Sequence, residues 1–154
     1  MVDKYKVLLL HVDLFLKQMN EQNKSLKSVR AYDEHKKREL LESLYKNYPL
    51  YLIGGTDKNK LIRESNIIGI NDYFKGFYSL DKNDPSLGPI MYDLNMSNPE
   101  EYLVCGTNEE YEISMAIRAY MDSCYVGPSG NSASLDATYR VNDESDIKKV
   151  LKLQ

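Results

Sequence analysis

Several side chains that could do chemistry directly follow apolar runs of the sequence. His11 and Asp13 stand at the end of the run KVLLLHV, residues 54–56 (GGT) follow LYLI, and residues 106–108 (GTN) with Glu112 follow YLVC. Imidazole and carboxylate groups hold or move protons, and glycine-rich turns before helices present N–H groups to anions. Ligands of open α/β sheets bind beyond the carboxyl ends of the strands, so we expect these residues to share one edge.

Each candidate also has a structural interpretation. His11 is a buried core histidine, a metal ligand or a nucleophile, and the first is preferred because no second histidine stands at ligand spacing. Asp13 either caps a turn at the strand end or takes part in catalysis. Glu112 fits a first-turn acid favoured by the helix dipole. Lys82 lies in the polar turn DKNDP, where a solvated lysine is ordinary.

The stretch 102–121, YLVCGTNEEYEISMAIRAYM, predicts a strand, a loop and a helix in succession. Gly106 permits a sharp turn, and Thr107 with Glu110 three residues later predicts a capping box. Four apolar side chains recur at helical spacing and predict the buried face of the helix: Ile113, Ala116, Ile117 and Tyr120.

The remaining segments alternate between strands and helices. Strands are predicted at 6–12, 50–53, 77–80 and 124–126, with a last short strand at 138–141. Helices are predicted at 33–47, 58–66, 90–94 and 145–153, and residues 15–31 are predicted to be a loop or small helical flap. This alternation predicts one Rossmann-like, three-layer α/β domain over residues 1–154, with a mostly parallel five-stranded sheet and helices on both faces.

Composition and charge narrow the function classes. The 154 residues carry a net charge of −3, and acids interrupt basic clusters such as Lys36-Lys37-Arg38. This argues against dedicated nucleic-acid binding and predicts a solvated helix face there. Cys105 and Cys124 lie in apolar runs, as buried reduced thiols do, and predict a cytoplasmic protein. Acidic residues interrupt the apolar N-terminus, so neither a signal peptide nor a membrane span is expected.

In order, these segments resemble the core of the haloacid dehalogenase-like hydrolases, a superfamily made up largely of Mg-dependent phosphatases that act through an aspartyl-phosphate. The family's first motif, Asp-x-Asp-Gly-Thr-Leu, is matched by residues 11–16, HVDLFL. Its second motif, a Thr or Ser ending the second strand, falls on Gly54, with Thr56 two residues late. Lys-Pro-Asp-Pro is matched by residues 82–85, KNDP. Gly-Asp-Ser with a later acid is matched by residues 106–108 and Glu112.

The resemblance implies a phosphoryl-transfer site with substitutions. His11 stands at the nucleophile's position and Thr107 at that of a metal-binding aspartate, so two carboxylates that bind Mg are missing. Asp13 keeps the general acid/base position, which also lies beside the metal, and Lys82 keeps the position that balances phosphate charge. Glu112 replaces the family's second aspartate with a longer side chain.

Three functions are compatible with this pattern. The first is a catalytically impaired domain of phosphatase ancestry, without a metal cofactor, that acts as a binding or regulatory protein. Backbone amides at Gly54, Gly55 and Thr56, and at residues 106–108, would hold a phosphorylated or anionic ligand. The second is an active Mg-dependent phosphohydrolase that uses Asp13 as nucleophile and Glu112 as metal ligand. The third is a structural homodimer, or a domain that docks a protein partner. No large cap is predicted between the first two strands, so the site should be open.

Overall fold

A parallel sheet forms the centre of the protein. The computed structural model describes residues 2–16, 27–80, 86–127 and 136–153. Within these residues six parallel strands pair in the spatial order β3-β2-β1-β4-β5-β6. The strands are β1 Val7–His11, β2 Leu50–Gly54, β3 Gly76–Ser79, β4 Tyr102–Gly106, β5 Asp122–Val126 and β6 Tyr139–Val141.

The strand count differs from the five that the sequence predicts. The short segment β6 also pairs with β5, where Cys124 lies opposite Tyr139 and Val126 opposite Val141. This strand has three residues, none of them fully buried, because it lies at the edge of the sheet. The central strand β1 is buried along its whole length, as its continuous apolar run predicts.

Helices cover both faces of the sheet, as predicted. They are α1 Lys27–Asn47, α2 Lys58–Ile67, α3 Gly88–Leu94, α4 Ser114–Arg118 and α5 Ile147–Val150. Leu8 and Leu10 of β1 belong to one core cluster with apolar residues of α1, α2 and α5. Val7 and Leu9 belong to a second cluster with residues of α3 and α4. Alternate residues of a strand point to opposite faces, so β1 contributes to both clusters. Among the described helices, none is long and apolar enough to cross a membrane.

Helix α1 corrects two predictions. It begins at Lys27 rather than at residue 33, and so includes residues 27–31 of the predicted loop or helical flap, while residues 17–26 lie outside the described part of the chain. Lys37 is buried, and its ammonium group donates a hydrogen bond to the carbonyl oxygen of Phe15. The predicted solvated face is therefore wrong for Lys37, although Arg38 beside it is exposed.

The closing helix is also shorter than predicted, because residues 144–146 form a 3₁₀ turn before α5.

The helix after β4 begins with a π-helical turn at Glu109–Ile113. Its N-terminus is capped by Asn108, whose side chain accepts the N–H of Glu110 at 3.0 Å. The predicted capping box of Thr107 and Glu110 is therefore wrong. The π-helical turn spaces residues more widely than the 3.6-residue period of an α-helix. Ile113 and Ala116 are buried as predicted, but Ile117 is partly exposed and Tyr120 is 82% exposed, and Glu112 faces the interior instead.

The strand order reverses direction between β1 and β4. From β1 the chain builds β2 and β3 on one side, and then returns to build β4, β5 and β6 on the other. At such a switch point the connections after the two neighbouring strands diverge and leave a crevice at their carboxyl ends. His11 ends β1 and Gly106 ends β4, so both border this crevice.

Candidate functional site

A cavity of about 360 Å³ lies at the carboxyl edge of the sheet. It is lined from four parts of the chain: the end of β1 with the turn after it, the loop after β2, helix α2, and the start of the helix after β4. The lining residues are His11, Val12, Asp13, Leu16, Gly55, Thr56, Glu64, Asn108, Tyr111 and Glu112. The fold thus brings together six of the residues singled out in the sequence: His11, Asp13, Gly55, Thr56, Asn108 and Glu112.

The carboxylate of Glu112 is fully buried, with 0% of the residue exposed. Its Oε2 atom accepts the backbone N–H groups of Thr107 at 2.8 Å and Asn108 at 3.0 Å. A Cβ atom on Gly106 would lie 2.2 Å from Oε2, so this close approach requires glycine. Two amides that the sequence assigned to an external anion therefore hold the chain's own carboxylate. The other oxygen, Oε1, has no hydrogen-bond partner among the described residues.

The His11 side chain lies between Asp13 and Glu112 and the residue is only 4% exposed. Its Nδ1 atom accepts the backbone N–H of Asp13 at 3.1 Å. A ring nitrogen that accepts a hydrogen bond carries no proton, so the neutral imidazole carries its proton on Nε2. Nε2 lies 3.8 Å from Oε1 of Glu112 and has no hydrogen-bond partner within the described residues. With one lone pair engaged and the other nitrogen protonated, this arrangement does not present a nucleophile.

Asp13 contributes differently through its backbone and its side chain. Its N–H orients the His11 ring, whereas its carboxylate is 54% exposed and lies 3.7 Å from Nδ1. It stands at the start of a helical turn over residues 13–16 rather than at the end of β1. The Asp13 carboxylate is thus accessible at the mouth of the cavity.

The predicted phosphate-binding loop after β2 divides into two roles. A Cβ atom on Gly54 would lie 2.9 Å from Leu61 Cδ1, so this glycine allows α2 to pack closely and does not line the cavity. Gly55 and Thr56 do line it, and the buried Oγ1 atom of Thr56 has no hydrogen-bond partner in the described parts of the chain. The first turn of α2 is capped by Asp57, which accepts the N–H of Lys60 at 2.9 Å. Lys82 lies outside the described residues.

Sequence reasoning did not select Glu64 or Tyr111, which also line the cavity. Glu64 sits on a short helix whose polar positions carry no distinguishing pattern. Tyr111 lies inside the π-helical turn, its ring edge-on to His11 with centroids 6.2 Å apart, and its hydroxyl donates to the carbonyl oxygen of Leu80 at 3.4 Å. A search that assumes 3.6 residues per turn cannot place Tyr111 correctly.

The described charged residues that line the cavity all carry negative charge. Carboxylates come from Asp13, Glu64 and Glu112, and the described residues that line the cavity include no lysine or arginine. Like charges in a partly buried cleft repel anions and are screened less than surface charges. This wall therefore favours uncharged or cationic groups over anionic ones.

No family model and no curated protein matches the sequence. Solved structures do match over nearly the whole chain. A haloacid dehalogenase-like family hydrolase from Streptococcus pneumoniae aligns with a TM-score of 0.72 at 13% identity, covering 97% of this chain and 99% of that one. The chain has the haloacid dehalogenase-like fold. The HAD-hydrolase YfnB from Bacillus subtilis, solved bound to magnesium, gives a TM-score of 0.73 at 13% identity with the same coverage of the two chains.

The name of a third neighbour includes a substrate class. A predicted phosphoglycolate phosphatase from Haemophilus somnus aligns with a TM-score of 0.68 at 15% identity, covering 97% of this chain and 99% of that one. These matches confirm the fold that the sequence resemblance implied. At such low identity they concern the fold, and the chemistry has to be argued from the residues of this chain.

The described residues at the carboxyl edge do not fit the magnesium ion that the fold implies. Mg²⁺ requires near-octahedral coordination by oxygen atoms. Within the described ranges, no group of three His, Cys, Asp or Glu side chains could hold a metal ion. The protonated Nε2 of His11 lies beside Oε1 of Glu112, and Thr107 does not line the cavity. The expectation that the chain binds no metal cofactor stays a prediction.

Proposed function

We propose that this chain is a haloacid dehalogenase-like domain of phosphatase ancestry that no longer transfers phosphoryl groups and instead binds a small molecule at the carboxyl edge of its sheet. The observation that carries this proposal is the state of His11. Its Nδ1 accepts the N–H of Asp13, and its protonated Nε2 faces the buried carboxylate of Glu112. The strand end that a phosphatase would use for its nucleophile thus holds a fixed hydrogen-bonding group.

Loss of the aspartyl-phosphate route is supported by the placement of the acids. A carboxylate nucleophile must be accessible and must lie beside the metal that neutralises the phosphoryl oxygens. Glu112 is buried with one oxygen engaged by two amides, and Asp13 stands two residues beyond the strand end. Neither carboxylate belongs to a metal-binding group within the described residues.

A binding role is supported by the polar atoms on the cavity wall. Three of them are buried without a hydrogen-bond partner in the described part of the chain: His11 Nε2, Thr56 Oγ1 and Glu112 Oε1. A buried polar group without a partner costs about 1–3 kcal/mol of folding free energy. Three such atoms around one cavity of about 360 Å³ are the signature of a place where further polar groups bind.

The expected phosphorylated or anionic ligand stays a prediction that depends on Lys82. The charges of the described cavity wall oppose an anion, and Glu112 already occupies two of the amides that an anion would use. The cytoplasmic location, the homodimer and the protein partner also stay predictions.

Phosphate release from a panel of phosphomonoesters, with and without Mg²⁺, tests the proposal. We expect wild-type protein to release no more phosphate than an Asp13→Asn variant. Asp3→Asn is the matched control, because Asp3 is exposed before β1 at the opposite end of the strand. Mg-dependent turnover by wild type and by the control, lost in Asp13→Asn, would overturn the proposal in favour of an active phosphohydrolase that uses Asp13.

A further inference from the structure

Two buried atoms on the cavity wall form a defined donor and acceptor pair. Nε2 of His11 is a donor, because Nδ1 of the same ring accepts the Asp13 N–H. Oε1 of Glu112 is an acceptor, because an ionised carboxylate has acceptor atoms only and its Oε2 already takes the N–H groups of Thr107 and Asn108. Both residues are more than nine-tenths buried, and neither atom has a hydrogen-bond partner among the described residues. Each side chain is held on its far side, and both residues line the cavity. The two unpaired atoms are themselves enclosed, so a ligand group that binds between them must displace part of the cavity wall.

The separation of the two atoms selects what fits between them. At 3.8 Å they are too far apart for a hydrogen bond to each other. One oxygen atom placed about 2.8 Å from each would form two hydrogen bonds at normal length. A hydroxyl group does this completely, since its oxygen accepts from Nε2–H and its hydrogen is donated to Oε1.

Other polar groups complement the pair less well. An ammonium group has donors only and would leave the Nε2–H facing another donor. An ionised phosphate oxygen would accept from Nε2–H, but it would meet the lone pairs and the charge of the Glu112 carboxylate. A metal ion would need the lone pair of Nε2, and the proton would then have to move to Nδ1 and break the Asp13 contact.

The other polar residues of the cavity wall also favour hydroxyl groups. Thr56 Oγ1 both donates and accepts, and the carboxylates of Asp13 and Glu64 accept from further hydroxyl hydrogens. Tyr111 adds an aromatic ring to the same wall. We infer that the cavity binds an uncharged, polyhydroxylated molecule of the sugar or polyol class, with one hydroxyl held between His11 Nε2 and Glu112 Oε1. This inference rests on the proposed function and names the ligand class of the same cavity.

Binding of defined probes to ¹⁵N-labelled protein tests the ligand class. The uncharged probes are glycerol, ribose and glucose, and the anionic probes are inorganic phosphate and glucose 6-phosphate. We expect at least one uncharged probe to shift the amide signals of Asp13, Thr107 and Asn108 saturably, because these amides bond directly to His11 or Glu112. The anionic probes should bind at least about tenfold more weakly.

The Glu112→Gln variant tests the hydrogen bond itself. Its amide oxygen is expected to keep accepting from Thr107 and Asn108, which places the NH₂ group toward His11 and replaces an acceptor by a donor. We expect sugar or polyol binding to weaken at least about tenfold and phosphate binding to strengthen. Glu110→Gln is the matched control, because it makes the same change of charge at an exposed residue of the same helical segment. Retained amide signals of Thr107 and Asn108 verify that the variant is folded.

The outcomes separate this inference from the proposed function. Binding of the anionic probes without the uncharged ones would overturn the hydroxyl inference and leave a binding domain without phosphoryl transfer. Equal weakening in Glu112→Gln and Glu110→Gln would also overturn the inference, because net charge rather than hydrogen bonding would then decide binding. Mg-dependent release of phosphate from glucose 6-phosphate would overturn the proposed function. A long-lived water at His11 Nε2–H, with no amide signal shifted by any probe, would overturn both the hydroxyl inference and the proposed binding function.

Discussion

The two edges of the sheet treat buried polar groups in different ways. At the amino edge, Asp122 Oδ2 accepts from the Tyr5 hydroxyl at 2.5 Å and from Lys4 Nζ at 2.9 Å, and the Tyr5 hydroxyl lies 3.1 Å from that of Tyr139. At the carboxyl edge, His11 and Glu112 are each bonded on one side and face each other across 3.8 Å on the other. A buried polar group therefore stabilises the fold where it has its hydrogen-bond partners. Where a partner is missing, the group is free to bond to a ligand.

The titration of Tyr5 shows how closed the amino-edge network is. Burial raises the pKa of the Tyr5 phenol, and its hydrogen bond to Asp122 raises the pKa further. The hydroxyl therefore keeps its proton well above the pH at which a solvated tyrosine ionises, and it remains a donor to Asp122. Each polar atom named in this network has a hydrogen-bond partner within the network.

Gly106→Ala should produce the largest effect at the carboxyl edge. The new Cβ would lie 2.2 Å from Glu112 Oε2 and 2.3 Å from Glu112 Cγ, so the carboxylate must leave the amides of Thr107 and Asn108. We expect a loss of about 3 kcal/mol of unfolding free energy from overpacking and broken hydrogen bonds, measured by urea denaturation.

Gly88→Ala is the control for this substitution. A Cβ on Gly88 would meet Ser86 Oγ at 3.4 Å, an ordinary contact at the start of α3. We expect a change below about 1 kcal/mol in either direction, since alanine favours the helix. Similar small losses in both variants would mean that Glu112 is not held against Gly106, and the account of its carboxylate would be wrong.

Tyr5→Phe should produce a smaller loss, confined to the amino edge. The ring remains packed, but Asp122 loses a buried hydroxyl donor and keeps Lys4. We expect destabilisation of about 1.5–2 kcal/mol, as for a hydrogen bond to a charged group. The same substitution at the exposed Tyr92 should change stability little. Amide signals around His11 and Glu112 should stay in place, and a shift there would show that the two edges are coupled.

The sequence predicts the strands and the carboxyl-edge location of several residues of the candidate site. The strands are readable because β1 and β4 are buried on both faces, and a continuous apolar run of strand length has few other interpretations. The carboxyl-edge location of His11, Asp13 and the loop after β2 follows from strand order alone. These parts of the fold and of the candidate site depend on local patterns that can be recognised in a single sequence.

The burial of Glu112 could not be read in this way. An α-helical period places Ile117 and Tyr120 on the buried face and leaves Glu112 as an ordinary first-turn acid. The π-helical turn at Glu109–Ile113 changes which residues face inward, and the glycine at 106 makes room for the carboxylate. Both depend on a contact between the turn and the end of β4, which no periodicity records. Lys37 is a similar case, because its partner is a backbone carbonyl 22 residues away.

Asp143 offers the smallest test, because it is a carboxylate near the same edge with a complete set of partners. Burial alone would raise the pKa of Asp143, but hydrogen bonds from Ser145 and Lys36 outweigh burial and lower the pKa to about 2. Since the pKa of aspartate in an unfolded chain is about 3.9, the folded state is favoured above about pH 4 and loses this contribution as the pH falls toward 2.

Asp143→Asn should therefore flatten the acid limb of the stability curve between about pH 4 and pH 2. The effect should stay below about 1 kcal/mol, because the Asp143 side chain is 31% exposed and solvent screens its pairing with Lys36. Urea denaturation at several pH values measures it, with Asp3→Asn as the control. An unchanged slope would mean that the partners of Asp143 do not bind its charged form. Asp143 would then not be a carboxylate whose hydrogen-bond partners stabilise the fold. Its contrast with His11 and Glu112, which each lack a partner on one side, would fail.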